Sequence, residues 1–194
     1  MRHLLLSVLA FLVSVAHGRP DKALGIEFPD HVTTWKYSDF KEYQPAVLGW
    51  AHHYKPEGGG AGVITIYVYN KGRADIGDGI TLAVSEEMAA VFSVVRSAWK
   101  EQGATVEEIQ PPAALKTKDG NPLALHSVHR ITLDGRKNIS ISGLTGFRGY
   151  FLKIRYTFPG DDVAAAQKNL GAFLQVLIDT NRKAAATLLE PEKK

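Results

Sequence analysis

Apolar and polar residues alternate along much of the chain, which is the pattern of strands with one buried face. The clearest pair of such runs covers 47–55 and 63–70. The glycine-rich segment 56–62 separates them, and this arrangement predicts an antiparallel hairpin. Asp134-Gly135 predicts a second, tight hairpin between the runs on either side of it. Further predicted strands lie at residues 24–28, 32–43, 123–133, 137–144 and 150–158, the second of them ending in an irregular segment.

Two segments instead repeat their apolar residues at helical spacing. In the first, Ser85 is expected to cap the start of a helix and Gly103 to end it. The second runs through 163–178, after a cap at Asp161 or Asp162. The apolar face of the first helix consists of Met88, Val91, Phe92, Val95 and Trp99.

The segment between the first helix and the later strands contains Pro111-Pro112, which we expect to interrupt regular structure. The chain then has the order strands, helix, strands, helix, and hairpins join neighbouring strands. This order predicts an α+β fold with a mainly antiparallel sheet and two principal helices.

The N-terminus has the parts of an export signal. Arg2 and His3 form a short basic region, and the run 4–16 that follows has eleven apolar residues in thirteen. This run is shorter than the ~20 residues of a membrane span, and small residues then offer cleavage after Gly18 or after Ala16. No other stretch approaches spanning length, so we expect a periplasmic or secreted protein with no stable membrane span. The predicted organisation is a signal peptide at 1–18, a single domain at 19–190 and a frayed tail at 191–194.

Composition narrows the classes of function. Of 194 residues, 45% are hydrophobic and 22% are charged, which is the balance of a globular protein rather than a disordered one. The formal net charge is +3, and loss of Arg2 with the leader leaves 22 basic and 20 acidic residues, or +2. With so small a surplus and no clustered basic stripe, we expect no nucleic-acid partner. The absence of cysteine excludes disulfides, thiolate metal sites, cysteine nucleophiles and a lipid anchor on cysteine.

Two stretches of the later strands resemble proteins of the PsbP-like fold. They are LALHSVHRITLDG at 123–135 and GYFLKIRY at 149–156, followed by the closing helix. The pieces IEFPD at 26–30, LGW at 48–50, IYVY at 66–69 and DIGDG at 75–79 are similar to a group of uncharacterised exported bacterial proteins. The resemblance implies a PsbP-like fold and an exported location, and by analogy a role in binding or assembly. It brings no catalytic signature and therefore no functional residues.

Four histidines are the first candidates for catalysis or metal binding: His52, His53, His126 and His129. Residues one or three apart in a strand point to opposite faces, so neither neighbouring pair can hold one metal ion without a bulge. We therefore predict no metal site and no cofactor, with His126 on a polar sheet face and His129 as a hydrogen-bonded core residue. The alternative is a small hydrolase or metal-dependent enzyme that uses His52, His126 or His129. Its second group would be a loop carboxylate, Asp75 or Asp78.

The last predicted strand separates a core face from a polar face. Its even-numbered residues from 150 to 156 are expected to face the core, whereas Lys153 and Arg155 point the other way. Neighbouring strands extend this polar face, and aromatic rings beside cations can hold an anionic group. We interpret the protein as a non-enzymatic binding or assembly module for an unknown protein or a small anionic ligand, with no catalytic residue assigned. The candidate binding residues are Tyr67, Tyr69, His126, Arg130, Lys153 and Arg155.

Overall fold

The part of the chain that the structure describes comprises residues 18–116 and 120–182 of a computed structural model. The signal peptide predicted for 1–18 lies outside this part except for Gly18, and the predicted tail at 191–194 lies outside it entirely. Neither helix within these residues is long and apolar enough to cross a membrane.

The described residues form ten strands and two helices. The strands are β1 (Gly18–Asp21), β2 (Ile26–Pro29), β3 (His31–Val32), β4 (Trp35–Glu42), β5 (Trp50–Pro56), β6 (Val63–Tyr69), β7 (Thr105–Lys116), β8 (Pro122–Leu133), β9 (Arg136–Phe147) and β10 (Tyr150–Pro159). The helices are α1 (Leu82–Glu101) and α2 (Val163–Thr180), and a 3-10 turn covers Ala46–Leu48. Eight strands form one sheet in the order β3-β4-β5-β6-β10-β9-β8-β7, in which every neighbouring pair is antiparallel, while β1 and β2 form a separate hairpin. The predicted α+β class, with a mainly antiparallel sheet and two helices, is confirmed.

The larger core lies between α2 and one side of the sheet, which we call the α2 face and which carries Tyr54 and Tyr156. Phe173 of α2 stands edge-on to Trp35 and Tyr54, with ring centroids 5.7 and 5.0 Å away. All four of these rings are buried, and burying a side chain of this size contributes about 1.5–3 kcal/mol. Asp162 caps α2 by accepting a hydrogen bond from the backbone N–H of Ala165, as its position in the sequence predicted.

The smaller core lies under the start of α1 on the opposite side of the sheet, the α1 face, which carries Tyr69, Leu144 and Phe151. Strand pairing places Phe151 beside Tyr69, and Val84 and Met88 of α1 pack against this row. The two helices therefore sandwich the sheet, and the residues between them alternate from one face to the other along each strand.

Helix α1 begins earlier than the sequence predicted. Its cap is Thr81, whose Oγ1 accepts a hydrogen bond from the backbone N–H of Val84 at 3.3 Å. The expected cap Ser85 lies inside the helix, where its hydroxyl donates to the carbonyl of Thr81. The predicted start at Ser85 is wrong because Ala83 and Val84 are buried against the sheet, and this packing extends the helix by one turn.

Strand β7 runs straight through Pro111-Pro112, where we predicted an interruption. It is the last strand of the sheet and pairs with β8 alone, and both prolines lie in the register shift between Gln110 and Ala113, where neither has a partner on β8, so their missing N–H groups remove no ladder hydrogen bond. The register shifts between Glu108 and Gln110 and again between Gln110 and Ala113. The prolines therefore distort this edge strand without ending it, and the prediction of a break is wrong.

The first strands also differ from their predicted bounds. Strand β1 was not predicted, and the run expected at 47–55 begins as a strand only at Trp50, because Ala46–Leu48 form the 3-10 turn. Gly49 joins the two with a φ of 68°. A Cβ at this position would overlap the carbonyl oxygen of Val68 on β6, so the approach of the turn to the sheet requires glycine.

Residues far along the chain hold the β1–β2 hairpin in place. The guanidinium of Arg148 donates to the carbonyl of Leu24 at 2.8 Å. Asn181, just after α2, accepts from the backbone N–H of Glu27 at 2.6 Å and donates to its carbonyl at 2.8 Å. The hairpin is thus fastened to the α2 side of the molecule by the C-terminal part of the described chain.

Candidate functional site

A cavity of about 300 Å³ lies between the later turns of α1 and the α1 face of the sheet. The buried residues of α1 extend only from Ala83 to Val91, so the rest of the helix does not pack tightly against the strands. The sheet side of the cavity carries Tyr67, Ser142, Lys153 and Arg155, and the helix side carries Val95 and Trp99.

Strand pairing explains why these side chains meet. Lys153 on β10 lies opposite Tyr67 on β6, and Arg155 lies opposite Ser142 on β9. Lys153 and Arg155 are two residues apart and therefore point to the same face. The sequence prediction that Tyr67, Lys153 and Arg155 share one face of the sheet agrees with this arrangement.

Lys153 is held among aromatic rings and near other cations. Its Nζ lies 4.3 Å from the ring centroid of Tyr67 and 5.4 Å from that of Tyr69. Burial lowers the pKa of Lys153 to about 8; Arg155 and Lys71 act in the same direction, while the carboxylate of Glu87 opposes them. The side chain therefore remains mostly charged at neutral pH.

Neither cation of the cavity forms an ion pair with an acid in the described part of the chain. Within residues 18–116 and 120–182, no carboxylate oxygen lies within 4.0 Å of the charged nitrogens of Lys153 or Arg155. By contrast, Lys71 binds Glu87 at 2.7 Å just outside the cavity. Two positive charges thus face an open space without an ion-pair partner among the described residues.

Polar groups without partners continue along the same face toward β8. Ser127 lies opposite Ser142, and His129 lies opposite Ser140. The hydroxyls of Ser127 and Ser140 and both ring nitrogens of His129 have no hydrogen-bond partner among the described residues, and neither has the Nε of Arg96 on α1. His129 is 1% exposed and its ring contacts Phe92 of α1 at 4.8 Å between centroids.

The sequence predicted His129 as a buried and hydrogen-bonded residue, and only its burial agrees with the structure of the described residues. Burial lowers the pKa of the imidazole, with Glu108 opposing and Arg96 adding to the effect. The prediction of a hydrogen-bonded core histidine is therefore wrong in its second half, for the residues that the structure describes.

Two of the six candidate binding residues lie on the wrong side of the sheet. His126 pairs with Gly143 and Arg130 with Ile139, which places both on the α2 face. The ring nitrogens of His126 contact the side-chain nitrogen of Gln110 and the carbonyl of Ala113, each at 3.0 Å. The expectation that His126 and Arg130 join Lys153 and Arg155 is therefore wrong.

Arg130 is also neutralised, unlike the cations of the cavity. It binds the carboxylates of Glu107 and Asp161, and Lys137 binds Asp161 at 2.8 Å. The side chain is thus committed to an ion-pair network on the surface between β7, β8 and the start of α2.

Tyr69 does lie on the α1 face but belongs to the packed core beside the cavity. It is 6% exposed, and its hydroxyl donates to Glu87 at 2.8 Å. Burial and the adjacent carboxylate raise the pKa of this phenol. Tyr69 therefore supports Lys153 from one side, whereas Tyr67 faces the open space.

A turn motif in the sequence carried the register information that was missed. With Asp134 and Gly135 as a two-residue loop, Leu133 must pair with Arg136. Counting back from that pair brings His129 to Ser140, and so assigns His129 rather than His126 to the face of Arg155. The contribution of Val95 and Trp99 had no such signal, because periodicity identifies an apolar helix face without saying which strands it covers.

Of the two remaining candidate histidines, His53 lies with its Nδ1 3.1 Å from the hydroxyl of Thr65, and His52 belongs to a buried network on the α2 face. The carboxylate of Asp21 accepts hydrogen bonds from Trp50 Nε1 at 2.6 Å, from the backbone N–H of Leu24 at 3.0 Å and from His52 Nε2 at 3.3 Å. The hydroxyl of Tyr37 lies 3.0 Å from the other ring nitrogen of His52. Burial alone would raise the pKa of Asp21, but the hydrogen bonds from His52, Leu24 and Trp50 together hold it below its ordinary value.

This network is closed to substrate, since the side chains of Asp21 and His52 are each 4% exposed. The loop carboxylates considered for the enzyme alternative bind elsewhere: Asp75 pairs with Arg73 at 2.7 Å, and Asp78 accepts from the backbone N–H of Arg148 at 2.7 Å. Within the described part of the chain, no group of three histidine, aspartate or glutamate side chains is placed to hold a metal ion.

Comparison with known proteins gives a likeness of fold alone. No family model matches the chain, and no curated protein matches its sequence. Among solved structures, the chain is similar to cyanobacterial PsbP (CyanoP) from Synechocystis sp. PCC 6803, with a TM-score of 0.48 and 11% sequence identity. The match covers 87% of this chain and 93% of that one. At this TM-score and identity, no residue or role passes from that protein to this chain.

Proposed function

We propose that the protein is a non-enzymatic binding module whose cavity under α1 holds an anionic group, carried by a small ligand or by a partner protein. One observation carries this proposal: Lys153 and Arg155 point into the same cavity and have no carboxylate partner among the described residues. Buried or half-buried cations are ordinarily paired, because taking a charge out of water is unfavourable without a counter-charge. An anion in the cavity supplies that counter-charge.

The chemistry of the two cations suits anion recognition. The guanidinium of Arg155 offers donors in a planar fork that matches a carboxylate or phosphate, and the ammonium of Lys153 acts as a point charge beside it. The ring of Tyr67 holds Lys153 in position. Ser142, opposite Arg155, adds a hydroxyl to the same wall.

Thermal unfolding in the presence of simple anions tests the proposal. The probes are acetate, sulfate and inorganic phosphate, titrated at constant ionic strength with chloride as the balancing anion. A ligand that binds only the folded state stabilises it by about 2.7 kcal/mol when its concentration is 100 times Kd. We expect at least one of these anions to raise the Tm of the parent protein, and to leave the Tm of Lys153→Gln/Arg155→Gln unchanged.

Lys168→Gln is the matched control, because Lys168 is an exposed cation on α2, on the other side of the sheet. This variant loses a positive charge outside the cavity and should respond to anions as the parent does. Circular dichroism checks that the double variant folds, and Arg155→Gln alone replaces it if it does not. A parent that fails to respond, or variants that respond like the parent, would overturn the proposal.

We further propose that the module is exported to the periplasm or secreted, with 1–18 as its signal peptide, and that the mature protein consists of a single domain at 19–190 and a frayed tail at 191–194. The basic residues, apolar run and small residues before position 19 support this assignment. Intact-mass measurement of the protein recovered from the envelope and the medium of expressing cells tests it. A mass that begins at Arg19, or at His17 for the earlier cleavage, is expected, and a chain retained in the cytoplasm with residues 1–18 attached would contradict it.

A further inference from the structure

The two walls of the cavity under α1 differ in chemistry. Val91, Val95 and Trp99 on the helix side follow one another at the spacing of a single helix face. Lys153 and Arg155 lie on the sheet side. An occupant that satisfies both walls has an anionic end toward the strands and an apolar body along the helix.

The core of the protein does not use the whole apolar wall. Helix α1 is buried as far as Val91, but Val95 and Trp99 beyond it are only half-buried, and the neighbouring Val94 is 65% exposed. Apolar surface left open beside a cavity favours an apolar occupant. Each methylene that such an occupant buries strengthens its binding by about fourfold.

The volume of the cavity sets the scale of its occupant. At about 300 Å³ it lies at the small end of the range for ligand sites, about 300–1,000 Å³, and suits a small acid with a hydrocarbon body of several carbons. Building on the anion-binding function proposed above, we propose that the cavity binds a medium-chain carboxylate. Its acid group contacts Lys153 and Arg155, and its hydrocarbon body lies against Val95 and Trp99.

Three probes separate the contributions of the two walls in isothermal titration calorimetry with the mature protein. Octanoate carries the acid group and the body, acetate carries the acid group alone, and octanamide carries the body without the charge. Octanoate has six more carbons than acetate. We expect it to bind about 50-fold more tightly, because a chain that lies along one wall of an open cavity buries about half of its surface, which is equivalent to roughly three methylenes. Octanamide should bind at least about tenfold more weakly than octanoate, because it carries no negative charge to pair with the two cations and offers them one acceptor oxygen instead of two.

Val95→Thr keeps the shape of the side chain but makes it polar. It should weaken octanoate binding about fourfold and leave acetate binding unchanged, since about one methyl contact is lost. Val47→Thr changes an exposed valine in the 3-10 turn, away from the cavity, and should alter neither affinity.

The outcomes distinguish this inference from the function on which it rests. If octanoate binds no more tightly than acetate, or if Val95→Thr leaves the affinity for octanoate unchanged, the proposal of a medium-chain ligand is overturned while anion binding remains in place. Octanoate that binds Lys153→Gln/Arg155→Gln as well as the parent would overturn the anion-binding function itself.

Discussion

Replacing Asp21 with alanine should lower the free energy of unfolding by about 3–5 kcal/mol. The carboxylate is buried and accepts hydrogen bonds from Trp50, His52 and the backbone N–H of Leu24. A hydrogen bond to a charged group contributes about 1.5–3 kcal/mol, and a buried donor left without an acceptor costs about 1–3 kcal/mol. Because alanine leaves the indole and imidazole donors buried and unsatisfied, the loss should reach the range seen when one partner of a buried charged network is removed.

Urea unfolding at neutral pH, followed by tryptophan fluorescence, measures this loss. Asp39→Ala is the control: it removes an exposed carboxylate that accepts from the backbone N–H of Phe40, and it should change the free energy of unfolding by no more than about 0.5 kcal/mol. A loss below about 1 kcal/mol for Asp21→Ala would refute the view that this carboxylate holds the β1–β2 hairpin on the sheet.

Acid supplies an independent check on the same residue. The pKa of Asp21 is held below its ordinary value of 3.8, so the carboxylate stabilises the fold fully above that value and loses its effect as the pH falls through the lower folded value. The difference in stability between the parent and Asp21→Ala should therefore stay constant at mildly acidic pH and shrink below about pH 4. A difference that persists undiminished in stronger acid would mean that the loss comes from packing rather than from the charge.

Three further predictions concern other parts of the fold. Because burial lowers the pKa of His129 below its usual 6.5, the unfolded chain binds a proton first, and stability should fall as the pH drops below about 6.5. In urea unfolding, the free energy of unfolding of His129→Phe should fall less over this pH range than that of the parent. The same pH dependence in both proteins would contradict this. Gly49→Ala should lower the free energy of unfolding by about 3 kcal/mol or more in the same assay, because the added Cβ meets the backbone of β6. Gly59→Ala is the control: Gly59 has a similar φ but open space around it, so the loss should be about 1 kcal/mol. Similar losses in the two variants would refute the close approach of the turn to the sheet. Because the pKa of Lys153 is about 8, the affinity of the parent for the anions proposed above should fall as the pH rises past 8. Lys153→Arg should retain its affinity there, since arginine stays charged. A calorimetric affinity that does not change with pH in the parent would argue against a role of Lys153 in anion binding.

The sequence predicts elements well where local chemistry determines them. The glycine loop at 56–62 and the Asp134-Gly135 turn both join antiparallel strands as expected, and Asp162 caps α2. Helix α1 and strand β7 deviate because tertiary packing overrides local signals. Helix α1 begins after Thr81 rather than after Ser85 because Val84 is buried against the sheet. Pro111-Pro112 remain in strand β7 because this strand lies at the edge of the sheet.

The candidate site could be predicted only in part, for a related reason. Alternation along β10 was enough to put Lys153 and Arg155 on one face. Choosing between His126 and His129 required the register of β8 against β9, which depends on the turn that joins them. The apolar wall from α1 depends on how a helix lies across the sheet, and no pattern within the helix itself contains that information.

The position of β1 bears on when the proposed leader can be removed. The bond after Gly18 lies within a strand in which Gly18 pairs with Pro29 and Arg19 with Phe28, so the folded hairpin shields it from a peptidase. Two of the contacts that fasten this hairpin come from Arg148 and Asn181, which leave the ribosome and enter the export path long after residue 19. The hairpin is therefore fully fastened only after the C-terminal helix has arrived, and the scissile bond should be more accessible to the peptidase before that point than after it.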